Sequence, residues 1–406
     1  AGWYKEGSDT PVSSNETLTI EELKGNLAAE TYDGLLEKDG DGNYARTVLT
    51  AKFVPDPNQT TTVTYKTEKG NTSEGYIGTS QAQIVETIQI ATGNIVVEEN
   101  GVKTITDRFP AGATATTGAG YNCAGWYKDS EENPVASGTS LPESEETDFM
   151  SLLNKENGVY SATVFTVKFS QQRNVDLIFM AQYPESYPGT QNPFKLGSQN
   201  LAPATGDAAN FTATAKPGYT LEKWTIQGSD DAIQDSANLT LEKGIINQYA
   251  KSTGAYKETI FVAHFVEIET PVGITYQVAE GQEDMGQVAI GTQTGKSLTE
   301  RLAPVTGTAQ GATAQPLPLA SSGYRVDRWE KLNPNGKNEV VAQYNPEDPD
   351  AVLHYTPDKV KQNPEDEYGL NEAATYIVYL TERTDLTYTI KYWYETDTST
   401  ADEVEY

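Results

Sequence analysis

The sequence predicts an α+β chain, mostly β, that is built from small modules in tandem. A spaced motif, Gly-Tyr-x-x-x-x-Trp, occurs at residues 120–126, 218–224 and 323–329, and the chain opens with Ala-Gly-Trp-Tyr, which repeats residues 124–127 letter for letter. The four tryptophans of this pattern lie 123, 98 and 105 residues apart. Self-similarity of this kind predicts a tandem array, because each copy forms one structural unit.

A predicted strand follows each of these tryptophans further along the chain. We call the four copies the closing strands, and we expect them at Thr47–Phe53, Thr163–Phe169, Thr259–Phe265 and Ala374–Leu380. Every second residue in all four is apolar or aromatic, twelve in total, as one buried face of a strand requires. The opposite face is expected to be partly exposed to solvent, and it carries at one equivalent position Lys52, Lys168, His264 and Tyr379.

A second type of strand, the opening strand, comes shortly after each closing strand. The four copies are expected at Thr62–Lys66, Asn174–Met180, Gly273–Val278 and Leu386–Trp393. The segments between closing and opening strands are short, and two of them contain proline. Short, proline-containing joints restrict backbone freedom, so we expect semi-rigid spacing and a rod-like array.

One short helix is predicted in each unit, between the tryptophan and the closing strand. Phe149, Leu152 and Leu153 follow helical spacing within Asp148–Lys155, with Ser144 or Thr147 as a candidate N-cap. The other copies are expected around Ile20, Leu23 and Leu27, and more weakly at Leu241–Lys251 and Asp358–Gln362.

The spacing of Tyr and Trp within the motif predicts an irregularity in the strand. Tryptophan follows tyrosine by five residues, so strict alternation would place the two side chains on opposite faces of the sheet. A β-bulge or a strand end would return the tryptophan to the core face. We expect this irregularity at Gly125, Lys223 and Arg328.

These patterns divide the chain into five segments. Residues 1–56 are expected to be the C-terminal part of a unit, which we call the partial repeat. Residues 57–170, 171–268 and 269–384 are the first, second and third full repeats, and residues 385–406 are the start of a further unit.

Composition excludes several classes of function. The chain of 406 residues carries 29 basic and 58 acidic side chains, a net charge of −29, and such a chain repels the phosphates of nucleic acid. One cysteine and two histidines leave no internal disulfide and little material for a metal site. No apolar run is long enough to span a bilayer. We therefore predict no catalytic, cofactor-binding or metal-binding residues, no cofactor and no membrane insertion.

The motifs resemble a known family of surface-protein repeats. GYNCAGWYKD at 120–129 and GYTLEKW at 218–224, followed at a distance by YSATVFTVKF at 160–169 and YKETIFVAHF at 256–265, are similar to the internalin-type B-repeat, also called the Listeria–Bacteroides repeat. YTIKYWYE at 388–395 resembles the opening strand of mucin-binding-protein-like repeats. The full repeats are longer than is usual for this family.

The resemblance implies compact β-grasp-like modules whose first and last strands lie side by side and parallel. It implies the stalk of a secreted, cell-wall-associated adhesin at the bacterial cell surface. A signal peptide and a sortase-type anchor are expected to lie outside this fragment. We expect a non-catalytic spacer that displays a distal binding domain, and a monomer. The alternative is a binding module whose inserts recognise host glycans or extracellular matrix proteins.

Several residues allow a second interpretation. The four recurrent tryptophans are expected in the core, although aromatic rings can also stack on sugars, and for Trp393 both alternatives stay open. Cys123 takes the place of Leu221 and Val326 and is expected to be a small buried hydrophobe, whereas His264 is expected to face solvent.

Two further patterns suggest chemistry without requiring it. Asp39-Gly-Asp-Gly-Asn43 resembles a calcium loop, but the glycine and glutamate that an EF-hand needs are replaced by Tyr44 and Thr50, so a turn is expected. Lys52 and Lys168 could in principle form amide cross-links with asparagine, but His264 and Tyr379 at the same position cannot.

Overall fold

A computed structural model describes residues 2–18, 37–70, 72–146, 148–235, 238–319, 322–361, 368–387, 389–395 and 401–405. The described chain is mostly β, as predicted, and contains one α-helix and one 3-10 helix. Its contacts divide it into two compact units. Unit 1 comprises residues 1–173, 202–204 and 253–255, and unit 2 comprises residues 174–201, 205–252 and 256–406.

The partial repeat forms a sheet of three strands. Their order in the sheet is Pro11–Ser13, Gly2–Lys5 and Leu49–Lys52. The middle strand carries Trp3, and we call it and its counterparts the Trp strands. The closing strand Leu49–Lys52 pairs with it in antiparallel fashion.

The first full repeat has a four-stranded sheet in the order Tyr121–Lys128, Thr163–Gln171, Thr60–Thr67 and Gln83–Gln89. The 3-10 helix Phe149–Leu152 lies between its Trp strand and its closing strand. Smaller sheets and hairpins contain the strands Gly75–Ile77, Val96–Glu99, Val102–Ile105, Ala113–Thr117, Ser140–Leu141, Lys155–Glu156 and Val159–Tyr160.

The second full repeat has a five-stranded sheet in the order Phe194–Leu201, Val175–Gln182, Thr259–Glu267, Tyr219–Ile226 and Gln234–Asp235. The α-helix Lys243–Ala250 packs against it through Ile246 and Ala250. Its remaining strands are Phe211–Thr212, Thr240–Leu241, Lys251–Ser252 and Ala255–Tyr256.

The third full repeat also has a five-stranded sheet, in the order Ser297–Leu302, Val272–Val278, Ala374–Glu382, Tyr324–Lys331 and Glu339–Gln343. A second sheet contains Gln293–Gly295, Gly286–Ile290, Ala312–Pro316 and His354–Tyr355, and Val360–Lys361 pairs with Gly369–Leu370. The final segment forms one antiparallel pair, Lys391–Glu395 with Ala401–Glu405, which we call the C-terminal strand pair.

The closing strand is the centre of all three large sheets. It pairs antiparallel with the Trp strand on one edge and parallel with the opening strand on the other. The parallel pairing that the resemblance implies is therefore present in each full repeat. Because a parallel neighbour needs a long crossover connection, the Trp strand and the smaller elements all lie in the chain between these two strands.

The predicted buried face of the closing strand is confirmed in the second and third full repeats. Phe261, Ala263 and Phe265 are buried, and so are their counterparts Tyr376, Val378 and Leu380. In the first full repeat Phe165 and Val167 are buried and Phe169 is half-buried. The prediction is wrong for Phe53, which is 90% exposed. Among the described residues, the closing strand of the partial repeat has a neighbour on one edge only, so nothing covers this ring.

The bulge prediction is confirmed at all three positions. The pairing of the Trp strand with the closing strand shifts between Cys123 and Gly125, and it shifts at the equivalent point before Lys223 and before Arg328. The extra residue shifts the alternation of the strand, so that the tryptophan two residues later lies on the core face. As a result Trp126, Trp224 and Trp329 are 0% exposed.

The helix predictions are confirmed only in part. The α-helix lies within the predicted 241–251 segment. The predicted helix at 148–155 is a short 3-10 helix whose N-cap is Asp148 rather than Ser144, with its carboxylate accepting the Met150 N–H. The prediction at 358–362 is wrong, because this segment contains the strand Val360–Lys361. Five residues are too few to repay helix nucleation. Ile20, Leu23, Leu27 and Thr147 lie outside the described residues.

Each large sheet packs over a core in which the tryptophan meets a second aromatic ring edge-on. Trp126 meets Tyr65 at 6.4 Å between ring centroids, and Trp329 meets Tyr276 at 6.2 Å. The indole N–H of Trp126 donates to Thr139 O and that of Trp329 to Val352 O. In contrast, the buried indole N–H of Trp224 has no hydrogen-bond partner among the described residues.

This difference predicts that replacing the tryptophan by phenylalanine destabilises the two repeats of unit 2 by different amounts. Trp329→Phe leaves the Val352 carbonyl without its donor and should destabilise its repeat by about 1–3 kcal/mol more than Trp224→Phe destabilises its own. Amide hydrogen exchange in the two closing strands, 374–382 and 259–267, measures each local opening free energy. Equal losses of local opening free energy in the two variants would contradict this account of the indole hydrogen bond.

Candidate functional site

The described residues contain no group of three or more His, Cys, Asp or Glu side chains that could hold a metal ion. Cys123 belongs to the first full repeat, His264 to the second and His354 to the third, and each has a polar partner within its own repeat.

Three of the four recurrent tryptophans are enclosed by the core. Trp126, Trp224 and Trp329 present no surface to a ligand, so the sugar-stacking alternative is wrong for them. Trp3 is half-buried in the partial repeat. The backbone of Trp393 belongs to the C-terminal strand pair, but its side chain lies outside the described part of the chain.

Cys123 is half-buried at the edge of the first core. Its thiol donates a hydrogen bond to the Gly138 carbonyl across 3.2 Å. Burial raises the pKa of the thiol, which lowers the fraction of nucleophilic thiolate at neutral pH. This environment fits a packing residue, as predicted, although burial is less complete than at Leu221 or Val326.

Cys123 should therefore react slowly with a thiol reagent. At pH 8 we expect its modification by a disulfide reagent to be several-fold slower than that of glutathione, because both exposure and thiolate fraction are reduced. In denaturant the two rates should converge. A rate in the folded chain equal to that of glutathione would contradict the half-buried, hydrogen-bonded position.

The outer face of the Trp strand and the closing strand carries a cation over an aromatic ring in three of the four copies. Lys52 lies over the Tyr4 ring at 4.3 Å, and Lys168 lies over Tyr127 at 4.2 Å. In the third full repeat the partners are exchanged, with Arg328 over Tyr379 at 4.2 Å. Such pairs contribute about 0.5–1 kcal/mol at exposed positions. This explains how lysine and tyrosine can replace each other in the closing strand.

His264 occupies the same position in the second full repeat and is half-buried rather than solvent-facing. Its Nε2 lies 2.9 Å from Thr225 Oγ1. Burial and the charge of Lys223 lower its pKa, so the ring is neutral at pH 7. The prediction of a solvent-face residue is thus only partly correct.

The loop at Asp39–Asn43 is a hydrogen-bonded turn, as predicted. Asp39 Oδ1 accepts the backbone N–H groups of Asp41 at 3.1 Å and Asn43 at 2.8 Å. The hydrogen bond from Asn43 lowers the pKa of Asp39. The carboxylate therefore satisfies donors of its own loop.

A contact between the second and third full repeats, entirely inside unit 2, was not predicted from the sequence. It joins the end of the closing strand Thr259–Glu267 to a turn at residues 302–307. The sequence of this turn, Leu-Ala-Pro-Val-Thr-Gly, repeats Leu-Ala-Pro-Ala-Thr-Gly at 201–206 with one difference, and that repetition was the available signal. We call this contact the joint.

The polar part of the joint is a single carboxylate held by three donors. Glu267 Oε1 accepts the Val305 N–H at 2.5 Å and the Thr306 N–H at 3.1 Å, and Oε2 accepts the Thr306 hydroxyl at 2.7 Å. Successive N–H groups that converge on one anion form a stable concave site for negative charge. Hydrogen bonds to charged groups are among the strongest in proteins.

The apolar part of the joint surrounds this carboxylate. Val305 is 3% exposed and belongs to the core of the second full repeat, although it comes from the third. A Cβ atom at Gly218 would lie 2.5 Å from Val305 Cγ2, so this close approach requires glycine. Tyr368 meets Tyr187 edge-on at 5.9 Å, and its hydroxyl donates to Pro217 O at 3.4 Å.

The turn that enters the joint is itself fixed by Asn371. Its side-chain amide donates to Ala303 O at 2.8 Å and to Gly307 O at 2.9 Å, and its backbone N–H donates to Pro304 O. Lys359 Nζ donates to Val305 O. The turn is therefore held in its bound shape by its own repeat, which reduces the entropy that is lost on docking.

The ionised form of Glu267 is favoured in the joint. Burial alone would raise its pKa, but the hydrogen bonds from Val305 and Thr306 outweigh burial and lower the pKa below its ordinary value of 4.5. A carboxylate with a lowered pKa stabilises the folded state above its unfolded pKa. That contribution is lost as the pH falls through the folded pKa.

Glu267→Gln should destabilise unit 2 at pH 7 by about 1–2 kcal/mol, since a neutral amide accepts these hydrogen bonds more weakly and the site is partly screened by solvent. The difference from the wild type should shrink below about pH 4.5, measured as the shift in the urea midpoint. Glu269→Gln, an exposed neighbour, is the matched control and should have no such effect. A pH-independent difference would contradict the role of the ionised carboxylate.

A groove of about 700 Å³ lies where the third full repeat meets the final segment, lined by Tyr324, Arg325, Tyr344, Arg383 and Asp385 among others. The guanidinium of Arg325 lies 4.1 Å from the centroid of the Tyr344 ring. One face of this ring is therefore already covered by a cation. That face of Tyr344 is therefore not open for stacking on a sugar, so it does not support the alternative of a glycan-binding module.

No protein-family model matches the sequence, and no curated protein is significantly similar to it. Among the described residues, no helix is both long and apolar enough to cross a lipid bilayer.

Proposed function

We propose that this chain is a non-catalytic spacer, the stalk region of a bacterial cell-surface, cell-wall-associated adhesin-like protein. Its repeats are β-grasp-like modules in an elongated array, and they hold a distal binding domain away from the cell wall. The observation that carries the proposal is the joint, in which Glu267 of one repeat accepts hydrogen bonds from Val305 and Thr306 of the next.

The joint supports a spacer because it resists bending. Rotation about the segment between the closing strand and Val272 would withdraw Val305 from an apolar pocket and break the hydrogen bonds to Glu267. A flexible tether between repeats would need none of these contacts and would be rich in Gly and Ser. The joint instead uses a preformed turn and a glycine that admits close contact.

The path of the chain through each repeat also supports this function. Opening and closing strands are parallel neighbours, so the chain enters at one end of the sheet and leaves at the other. At about 3.3 Å per residue, strands of seven to nine residues separate these ends by roughly 23–30 Å. Tension applied to the two ends would load many ladder hydrogen bonds at once.

The charge of the chain is compatible with an extended surface structure. A net charge of −29 makes neighbouring copies repel each other and keeps the surface solvated. Acidic side chains do not bind the anionic polymers of a cell envelope. They therefore favour projection into the solvent over adsorption.

Small-angle X-ray scattering of the full chain tests the proposal. An elongated array should give a radius of gyration well above about 22 Å, the value expected for a compact chain of 406 residues. Glu267→Ala should broaden the distribution of shapes, because the polar part of the joint is lost, whereas Glu269→Ala should leave it unchanged. A radius near the compact value would reject the spacer.

A further inference from the structure

A buried tyrosine next to the joint has a hydroxyl group that donates no hydrogen bond. Tyr219 is 4% exposed, and its hydroxyl group has no hydrogen-bond partner among the described residues. A buried hydroxyl group in this state has lost its hydrogen bonds to water and has gained none in return. Such groups are uncommon in folded proteins, and each one needs a physical explanation. The residue opposite Tyr219 in the sheet supplies one.

Tyr219 and Glu267 are cross-strand neighbours. They are direct partners in the antiparallel pairing of the Trp strand with the closing strand, and direct partners have Cβ atoms about 4.5–5.5 Å apart on the same face of the sheet. That face is the core face, because Leu221 and Phe265, each two residues away along its strand, belong to the core. Tyr219 therefore stands next to the side chain that forms the polar part of the joint.

Tyrosine and glutamate on neighbouring strands form hydrogen bonds in the other two full repeats. The Tyr65 hydroxyl donates to Glu86 at 3.0 Å, and the Tyr276 hydroxyl donates to Glu300 at 2.6 Å. Hydrogen bonds to an ionised acceptor are stronger than those between neutral groups. A tyrosine hydroxyl can therefore bridge neighbouring strands to a carboxylate in this type of sheet.

The three donors that hold Glu267 all come from the third full repeat. They are the N–H groups of Val305 and Thr306 and the Thr306 hydroxyl, whereas Glu267 and Tyr219 belong to the second. If the turn at 302–307 withdrew, the carboxylate would lose these donors at once. The unpartnered hydroxyl of Tyr219 would then be a donor on the neighbouring strand. Burial and the charge of Glu267 raise the pKa of Tyr219, so the hydroxyl keeps its proton.

The ring of Tyr219 is held in place by its own repeat. Tyr183 meets it edge-on at 4.9 Å between ring centroids, and Tyr187 does so at 5.6 Å. Both of these residues belong to the second full repeat. Their contacts do not involve the turn at 302–307, so Tyr219 should keep its position when the turn withdraws. A donor that is already held in place loses little entropy when it forms a new hydrogen bond.

We propose that the joint is a two-state hinge. In the closed state the turn at 302–307 donates to Glu267, and in the open state the Tyr219 hydroxyl donates to Glu267 instead. The unpartnered hydroxyl raises the free energy of the closed state, and its new hydrogen bond lowers that of the open state. The inference rests on the proposed spacer function, to which it adds a hinge that opens and closes again without unfolding a strand.

Amide hydrogen exchange in the full chain measures the opening of this hinge. The N–H groups of Val305 and Thr306 are bound to Glu267 only in the closed state, so their exchange reports the population of the open state. Tyr219→Phe removes the hydroxyl and keeps the ring. It should slow the exchange of these two amides by at least about tenfold, because the closed state loses an unpartnered donor and the open state loses a hydrogen bond. Exchange in the closing strand Thr259–Glu267 should not change.

A second background separates the pairing with Glu267 from simple relief of an unpartnered hydroxyl. In Glu267→Ala the open state has no carboxylate that could accept from Tyr219. In that background Tyr219→Phe should change the exchange of Val305 and Thr306 several-fold less than it does in the wild type. An effect of equal size in both backgrounds would overturn the proposal. Unchanged or faster exchange in Tyr219→Phe alone would also overturn it, because the hydroxyl would then not favour opening.

Tyr121→Phe is the matched control. Tyr121 has the same place in the Gly-Tyr motif of the first full repeat, but its cross-strand partner is Gln171, so exchange at Val305 and Thr306 should stay as in the wild type. The hinge and the spacer fail in different measurements. A compact radius of gyration in scattering would reject the spacer, whereas an elongated chain whose exchange ignores Tyr219→Phe would reject the hinge alone.

Discussion

The pairing of the closing strand on both edges is the constraint on which each repeat depends. Backbone groups along a strand point alternately to its two neighbours, so a closing strand in mid-sheet needs both partners to satisfy its donors and acceptors. The Trp strand supplies the hydrogen-bond partners on one edge, and the opening strand, from the far end of the repeat, supplies those on the other edge. All remaining elements are inserted between these strands and pack on the face that they create.

The bulge in the Trp strand distributes two kinds of aromatic contact between the faces of the sheet. By adding one residue before the tryptophan, it places the indole in the core, where Trp126 and Trp329 meet opening-strand tyrosines edge-on. On the outer face the same two strands place a cation over an aromatic ring, Lys168 over Tyr127 and Arg328 over Tyr379. Glycine at 125 adopts a φ of 121° there, whereas the equivalent residues in the other repeats carry long side chains.

The sequence contains the local features of this fold and little about contacts between repeats. Alternation identified the closing strands, and the five-residue interval between Tyr and Trp identified the bulges, because both depend on near neighbours. Alternation shows which face of a strand is apolar but not whether anything covers that face. For this reason the burial predicted for Phe53 was wrong. The joint escaped prediction because Glu267 and Val305 are 38 residues apart and belong to different repeats. Only the duplicated Leu-Ala-Pro-x-Thr-Gly segment hinted at it.

The joint links the second and third full repeats through a turn and side chains rather than through a shared sheet. The sheet of each of these repeats is already complete, because its closing strand is paired on both edges. Loss of the joint would therefore free the segment between the two repeats but would unfold no strand.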